Sequence, residues 1–250
     1  MTRILALHAH PDDVETLCAG TLALLAREGC DIVIATLTAG ECGTLGDPAE
    51  TAAIRQQEAA SAAALIGARY LCGGLPDLGV FNDDASRRAV TELIRQAAPD
   101  IVIAPPTEDY HPDHEAAGVL ARDACFAASA PAYATGPAAP LTAIPHLYMV
   151  DPIGARRRDG SSAPADFAVD ISEVMPIKRA MLEQHQSQIQ WLARQHSMAD
   201  FTAAMEAQSA RRGKEFGVAF AEGFRQYRHL PYPRGPMLQD LLGAAVLRPA

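Results

Sequence analysis

Several patterns that identify large classes of proteins are missing from this 250-residue sequence. Its five cysteines are odd in number, scattered and without a C-x-x-C pair, which argues against a disulfide framework and a cysteine-ligated zinc site. The G-x-G-x-x-G turn of dinucleotide-binding proteins and the G-x-S-x-G elbow of serine hydrolases are also absent. We therefore expect neither a dinucleotide cofactor nor a Ser-His-Asp catalytic triad.

The sequence also lacks an apolar run that could cross a membrane. Its longest uncharged stretch, Phe126 to Val150, is interrupted by four prolines and a glycine, namely Pro131, Gly136, Pro137, Pro140 and Pro145. The net charge of −9 and the pI near 5.3 argue against nucleic acid or an anionic membrane as the main partner. Met1 is followed almost at once by a strand pattern and not by a signal peptide, so we expect a cytoplasmic protein.

Strand patterns alternate with helical patterns along the chain, which indicates a parallel sheet with helices on its faces. The predicted strands lie near Arg3 to Ala9, Asp31 to Thr38, Arg69 to Cys72, Ile101 to Ala104 and Ile144 to Val150. The predicted helices are Thr16 to Arg27, Pro48 to Ile66, Ala85 to Ala97, His114 to Ala127 and Val174 to Arg194. This number of elements fits a single α/β domain over residues 1–250.

The stretch from His8 to Glu15, His-Ala-His-Pro-Asp-Asp-Val-Glu, concentrates metal-binding and proton-transferring side chains directly after a buried-strand pattern. It occupies a strand-to-helix turn, where open α/β sheets bind their ligands. Histidine and carboxylate are ligands of divalent metals, so His10 with Asp12 or Asp13 predicts a metal site, with zinc as the first hypothesis. The alternative is that one aspartate caps the helix and His10 is a hydrogen-bonded surface histidine.

A second cluster of the same chemistry weakens that alternative. Asp109 to Glu115, Asp-Tyr-His-Pro-Asp-His-Glu, follows the apolar run Ile101 to Ala104, again at the carboxyl end of a predicted strand. The two clusters can therefore converge on one metal ion. Spacing alone does not tell Asp12 from Asp13 as the ligand.

These two clusters resemble the signatures of the LmbE-like, or PIG-L-like, zinc N-deacetylases, which remove an acyl group from N-acyl sugars. The resemblance extends over most of the chain, and its last part looks most like the bacillithiol-pathway deacetylases. It implies a Rossmann-like, mostly parallel sheet flanked by helices, with a C-terminal elaboration. The further matching segments are Arg55-x-x-Glu58, Leu75-Pro76-Asp77, His185-Gln186-Ser187-Gln188, Arg212-Gly213, and Gly217 to Phe224.

The resemblance also implies a mechanism. It makes His10, Asp13 and His114 the ligands of one divalent ion, Zn²⁺ by default with Fe²⁺ or another divalent metal as alternatives. It makes Asp12 the general base that acts on a metal-activated water. The expected reaction removes the acetyl group from a small N-acetylglucosamine-type molecule. A non-catalytic metal-binding or carbohydrate-binding module is the alternative, and it would need no base.

Two further residues of the second cluster receive catalytic roles. His111 is the candidate acid or oxyanion stabiliser, and Asp113 is a partner that orients a histidine. An N-cap role for Asp113 is compatible with this and nearly as well supported. We expect a homo-oligomer, with Pro131 to Pro145 as a possible contact surface.

Substrate binding is assigned to Arg55, Tyr110 and Glu15. For Arg55, an exposed ion pair with Glu58 is an equally good interpretation. Tyr110 stands where the bacillithiol-pathway enzymes typically carry an arginine suited to a carboxylate, so the preference for a malate glycoside should be weak.

The remaining histidines have weaker assignments. His8 is predicted to be a hydrogen-bonded core residue. His185, with Gln188, either lines the pocket or packs the C-terminal elaboration against the sheet. His146, His196 and His229 have no convergent partners in the sequence.

Overall fold

The central element of the protein is one mixed β-sheet, seen in a computed structural model that describes residues 1–195 and 200–249. In these residues eight strands form the sheet, in the order β3-β2-β1-β4-β5-β7-β6-β8. The strands are β1 (Arg3–His8), β2 (Asp31–Thr38), β3 (Arg69–Leu75), β4 (Ile101–Ala104), β5 (His146–Val150), β6 (Phe167–Asp170), β7 (Ala221–Gln226) and β8 (Val246–Leu247).

The first five strands are parallel, and they confirm the predicted fold class. Four of them, β1, β2, β4 and β5, are runs of apolar side chains that are buried almost throughout, as expected for a sheet covered on both faces. Strands β2 and β3 lie on one side of β1, and β4 lies on the other side of β1. The strand order therefore reverses between β1 and β4, where ligand crevices form in such sheets.

Helices cover both faces of the sheet and divide the core into two apolar layers. The helices are α1 (Asp13–Leu17), α2 (Ala19–Arg27), α3 (Pro48–Ala64), α4 (Asp84–Ala97), α5 (Pro112–Ala128), α6 (Met175–Leu182), α7 (Gln186–Gln195), α8 (Phe201–Phe216) and α9 (Met237–Leu242). In the part of the chain described, no helix is long and apolar enough to cross a membrane.

The predicted helix from Thr16 to Arg27 is wrong as a single element, because the chain breaks at Cys18 into α1 and α2. The cause is a buried ion pair from the C-terminal half of the chain. The Glu222 carboxylate accepts hydrogen bonds from Gly20 N and Thr21 N at 3.0 and 2.7 Å, so it satisfies amides of the first turn of α2. Lys178 Nζ lies 2.5 Å from Glu222 and donates to the Thr16 carbonyl at 2.9 Å.

The predicted helix from Val174 to Arg194 is also two helices, α6 and α7, which separate before Gln186. A second distant glutamate explains the new start. Glu58 on α3 accepts hydrogen bonds from Ser187 N at 2.8 Å and from Ser187 Oγ at 2.6 Å. His185 is left buried between the two helices, whereas His196 lies outside the described residues.

The C-terminal elaboration consists of β6, β7 and β8, which extend the parallel sheet with antiparallel pairing. Strand β7 pairs with β5 and carries Glu222, so it connects the added strands to the first turn of α2. The structure also contains α8 and α9, which the sequence pattern did not predict.

Candidate active site and metal centre

The two histidine-aspartate clusters meet at the carboxyl edge of the sheet, in the crevice between β1 and β4. Residues 9–12 follow β1, and residues 105–111 follow β4 and lead into α5. The loops after β2 and β3 border the same region and are hydrogen-bonded to each other, since Cys42 N donates to Asp77 Oδ2 at 2.9 Å. The sheet order therefore brings residues that are a hundred positions apart into one site.

Asp13 lies between the two histidines that the sequence predicted as metal ligands. Its Oδ1 is 3.2 Å from His114 Nε2, and its Oδ2 is 3.6 Å from His10 Nδ1. The same Oδ2 also accepts a hydrogen bond from His10 N at 2.8 Å, which fixes the carboxylate in the turn. All three residues are buried.

The outer nitrogen of each histidine contacts a further carboxylate. His10 Nε2 lies 3.1 Å from Asp77 Oδ1 and 3.3 Å from Asp113 Oδ2. His114 Nδ1 lies 3.1 Å from Asp109 Oδ1. When either ring is neutral, an N–H donated to these carboxylates leaves the opposite nitrogen as an acceptor on the side of Asp13, which is the usual arrangement behind histidine metal ligands.

The electrostatics of this cluster follow from its excess of carboxylates. Burial alone would lower the pKa of His114, but Asp13 and Asp109 raise it to about 10. Burial is likewise outweighed at His10, whose pKa is held well above its usual value by Asp113, Asp13 and Asp77. Burial would raise the pKa of Asp13, but His114 and His10 hold it well below its usual range. The site therefore stabilises a positive charge in its centre.

Potential ligand atoms come together in more than one combination. Besides the pair of nitrogens facing Asp13, the ligand atoms of His10, His111 and His114 lie within 4.8 Å of one another. Those of His10, Asp77 and Asp113 do so as well. These donors are borderline nitrogen and hard oxygen atoms, which fit a divalent ion such as zinc or iron(II).

Asp12 lies beside the centre in a backbone conformation that few non-glycine residues adopt. Its φ is +102°, and its side chain makes no capping hydrogen bond to α1, although it precedes that helix. Strain of this kind is concentrated at functional sites. Burial raises the pKa of Asp12 to about 6, against the opposing charge of Arg55, whose Nη2 is 3.6 Å from Asp12 Oδ2.

Arg55 is buried, so the interpretation of an exposed pair with Glu58 is wrong. Its guanidinium donates to the carbonyls of Gly40 and Pro11, both at 2.7 Å, and so joins the loops after β2 and β1. Gly40 has a φ of +68°, and a Cβ there would lie 2.2 Å from Arg55 Nη1. Glycine is therefore required for this close approach.

His111, and not Asp113, is the N-cap of α5, so the predicted N-cap role of Asp113 is wrong. His111 Nδ1 accepts a hydrogen bond from Asp113 N at 3.2 Å. Burial and the neighbouring His10 and His114 lower the pKa of His111, so the ring is neutral at neutral pH. A neutral ring that accepts at Nδ1 carries its proton on Nε2 and can donate it.

The Asp113 carboxylate is held between the loop after β3 and His10. Leu78 N donates to its Oδ2 at 2.8 Å, and Val80 N donates to its Oδ1 at 3.4 Å. Tyr110 lies at the mouth of the site, where 73% of it is exposed and its ring packs edge-on against His111 and His114.

Glu15 lies behind the centre, buried against His185, with 3.4 Å between Glu15 Oε2 and His185 Nε2. Burial would lower the pKa of His185, but Glu15 raises it above its usual value. His8 is fully buried, which confirms its core position, and burial lowers its pKa to about 4. His8 Nε2 lies 3.9 Å from Cys18 Sγ, whereas His8 Nδ1 has no hydrogen-bond partner among the described residues.

Sequence reasoning did not assign the carboxylates that orient the histidines, apart from Asp113. Asp77 was noted only as part of a family motif, and Asp109 only as the first residue of the second cluster. A carboxylate at the end of β3 or β4 was the available signal, because the carboxyl ends of parallel strands share one edge of the sheet.

Comparison with known proteins finds deacetylases among the proteins similar to this chain. The model of the PIG-L family, described as GlcNAc-PI de-N-acetylase, matches residues 5–125. A diacetylchitobiose deacetylase of Thermococcus kodakarensis is 28% identical over 193 residues, covering 74% of this chain and 70% of the relative. The 1D-myo-inositol 2-acetamido-2-deoxy-alpha-D-glucopyranoside deacetylase of Rhodococcus erythropolis is 32% identical over 162 residues, covering 52% of this chain. This chain spans only 55% of that second relative's length.

The fold has a close counterpart among solved structures. The N,N'-diacetylchitobiose deacetylase of Pyrococcus horikoshii superposes with a TM-score of 0.78 over 93% of this chain and 86% of the other. The two sequences are 24% identical, so this likeness concerns the fold.

Proposed function

We propose that the chain is a metal-dependent deacetylase of the PIG-L type, which removes the acetyl group from a small N-acetylglucosamine-type compound, because the model of that family matches residues 5–125 and the similar proteins are deacetylases. The observation that carries the proposal is the position of Asp12. This carboxylate is buried, is next in sequence to Asp13, and has a pKa raised to about 6 beside two histidines held by carboxylates. A binding module has no use for such a group.

We assign the metal to His10 Nδ1, Asp13 and His114 Nε2. The fit of these donors rests on the two ring nitrogens that face Asp13 while their partner nitrogens contact carboxylates. Zinc is the proposed ion. When bound, it supplies Lewis-acid polarisation of the amide carbonyl and lowers the pKa of a water molecule.

Asp12 accepts the proton of the attacking water in this mechanism. A base with a pKa near 6 is ionised at neutral pH and still basic enough to share a proton in the transition state. Arg55, 3.6 Å away, fixes the turn that carries Asp12 through the Pro11 carbonyl. Arg55 therefore acts here by positioning the base.

His111 stabilises the oxyanion as a neutral imidazole, and the proton that Asp12 takes from the water passes on to the leaving amine. Its Nδ1 accepts from Asp113 N, so Nε2 carries the hydrogen that can be donated to developing negative charge. Asp113 is then the residue whose backbone fixes the His111 tautomer and whose carboxylate orients His10. Both roles come from one residue at the start of α5.

Acetate release from N-acetylglucosamine and its glycosides tests the proposal. The zinc-loaded protein should release acetate, and Asp12→Asn should retain the metal while turnover falls by about 10²- to 10⁴-fold. Asp84→Asn is a matched control, because Asp84 is exposed at the start of α4 and pairs with Arg88. Full activity of Asp12→Asn would eliminate the proposed base, and metal binding without turnover of any N-acetyl sugar would favour the binding module.

A further inference from the structure

The mouth of the site is unusually apolar for a surface formed by polar loops. Four large apolar side chains on the loops after β2, β3 and β4 are strongly exposed: Leu45 (80%), Leu78 (59%), Phe81 (65%) and Tyr110 (73%). Scattered exposed apolar residues are normal, whereas several on loops that surround a ligand site indicate a binding surface.

Two of these residues lie next to the reaction centre, Leu78 through its backbone amide and Tyr110 through its ring. Leu78 N donates to Asp113 Oδ2, and the same oxygen lies 3.3 Å from His10 Nε2. The Tyr110 ring centroid is 5.6 Å from that of His114. A group attached to a sugar whose acetamide lies at the centre is therefore near Leu78 and Tyr110.

The backbone at Leu78 presents its side chain at some cost in strain. Its φ is +60°, a conformation in which glycine or asparagine is the relaxed choice and leucine is uncommon. The hydrogen bond from Leu78 N to Asp113 Oδ2 holds the residue in this position. The result is a leucine fixed towards solvent at the edge of the site.

The charges around the mouth disfavour an anionic group on the substrate. The loops carry Glu41, Asp77 and Glu108. Two arginines at this edge are engaged, Arg55 with the carbonyls of Gly40 and Pro11 and Arg158 with Glu115. An uncharged apolar group meets no such opposition.

We propose that Leu78 and Tyr110, with Leu45 and Phe81 beyond them, form a subsite for an uncharged hydrocarbon group attached to the amino sugar, as in an alkyl or aryl glycoside. This inference rests on the proposed deacetylase function and names the substrate class. The subsite holds the aglycone while the acetamide lies at the centre between His10, Asp12 and His114.

A series of glycosides of N-acetylglucosamine tests the inference. The value of kcat/KM is compared for the methyl, butyl and hexyl glycosides and for a six-carbon chain that ends in a carboxylate. A fully buried methylene changes affinity about fourfold, and contact on an open rim reduces this to about twofold. The hexyl glycoside should therefore exceed the methyl glycoside by at least about 10-fold, and the carboxylated chain should lose most of that gain.

Leu78→Asn is the decisive variant, because asparagine tolerates the positive φ and removes only the apolar surface. The ratio of kcat/KM for the hexyl glycoside to kcat/KM for the methyl glycoside should fall at least about fivefold. A change that lowers kcat/KM equally for both glycosides does not affect this ratio. Leu65→Asn is the control, since Leu65 is exposed at the end of α3 and should leave the ratio unchanged. A change in molecular mass with an unchanged ratio would assign the patch to contact with a second copy and overturn the inference.

The outcomes separate this inference from the proposed function. A wild-type ratio near one with normal turnover of the methyl compound would overturn the subsite and leave the deacetylase standing. Absence of acetate from every glycoside would overturn the deacetylase. In that case the subsite is tested by calorimetry, which measures the dissociation constants of hexyl glucoside and methyl glucoside. Neither compound carries an acetamide group. Equal dissociation constants for the two would refute the subsite.

Discussion

Asp109→Asn should weaken metal binding without unfolding the protein, because Asp109 serves two different sets of donors. Its Oδ1 contacts His114 Nδ1 at 3.1 Å and accepts from His111 N at 3.2 Å. Its Oδ2 accepts from Ile153 N at 2.9 Å. An asparagine of the same shape has only one oxygen for these donors.

Either orientation of the asparagine is unfavourable. If its oxygen faces His114, its amide group opposes the Ile153 amide and leaves a buried donor unpaired, which costs about 1–3 kcal/mol. If the side-chain amide is flipped, its NH₂ group faces His114, so His114 Nδ1 must accept a hydrogen bond. The ring proton of His114 then moves to Nε2, the nitrogen that faces Asp13. Loss of such an outer partner typically weakens metal binding by about 10- to 100-fold, in agreement with that energy.

The assay is competition for zinc with a chelator of known affinity, measured on folded protein. We expect the dissociation constant to rise about 10- to 100-fold in Asp109→Asn and to stay unchanged in Asp84→Asn, whose residue is exposed on α4. Circular dichroism before zinc addition provides the control for folding. A change of less than about threefold in folded Asp109→Asn would refute the role of Asp109 in orienting His114.

Three further predictions concern His111, His185 and Lys178. His111→Ala should lower kcat by about 10²-fold or more with little change in zinc content, as separate turnover and metal analyses would show. His185→Gln should destabilise the protein most near pH 6, because Glu15 raises the folded-state pKa of His185 above the usual value of 6.5. The stability that protonated His185 contributes is complete below pH 6.5 and is lost as the pH rises through the folded-state pKa. Equal losses in Tm at pH 6 and pH 9 would contradict this pairing. Lys178→Met should lower the free energy of unfolding in urea by about 3–5 kcal/mol by leaving Glu222 unpaired, and adding Glu222→Gln should recover part of the loss.

The parallel half of the fold was predictable because its signal is local. All five predicted strands are present, and β2 and β4 have the predicted bounds. The two predicted helices that proved to be pairs failed for one shared reason. Glu222 and Glu58 cap the second helix of each pair from 201 and 129 residues away, and no local pattern contains such partners.

The antiparallel strand β7 was missed because its side chains do not form an apolar run. Strand β7 reads Ala-Glu-Gly-Phe-Arg-Gln, and its glutamate is buried only because Lys178 and the start of α2 neutralise it. Strand β8 is two residues long, which is below the length at which alternation is informative. The cytoplasmic location and the homo-oligomer stay predictions.

In the site, the motif residues came together as their strands predicted, but their backbone partners could not be foreseen. Arg55 binds two carbonyl groups, and carbonyls are carried by every residue and leave no mark in the sequence. Tyr110 was predicted to contact substrate, and its position at the mouth agrees with that role without testing it. Asp77 reaches His10 only because β3 and β1 end at the same edge of the sheet.

Anomalous diffraction from zinc-soaked crystals, recorded on both sides of the zinc absorption edge, tests the metal assignment most directly. We predict one peak per chain, bound by His10 Nδ1, the Asp13 carboxylate and His114 Nε2 at about 2.0–2.2 Å. The carboxylates of Asp77 and Asp113 should remain hydrogen-bonded to His10 Nε2. A peak ligated by Asp77 and Asp113, or the absence of a peak near Asp13, would contradict the account.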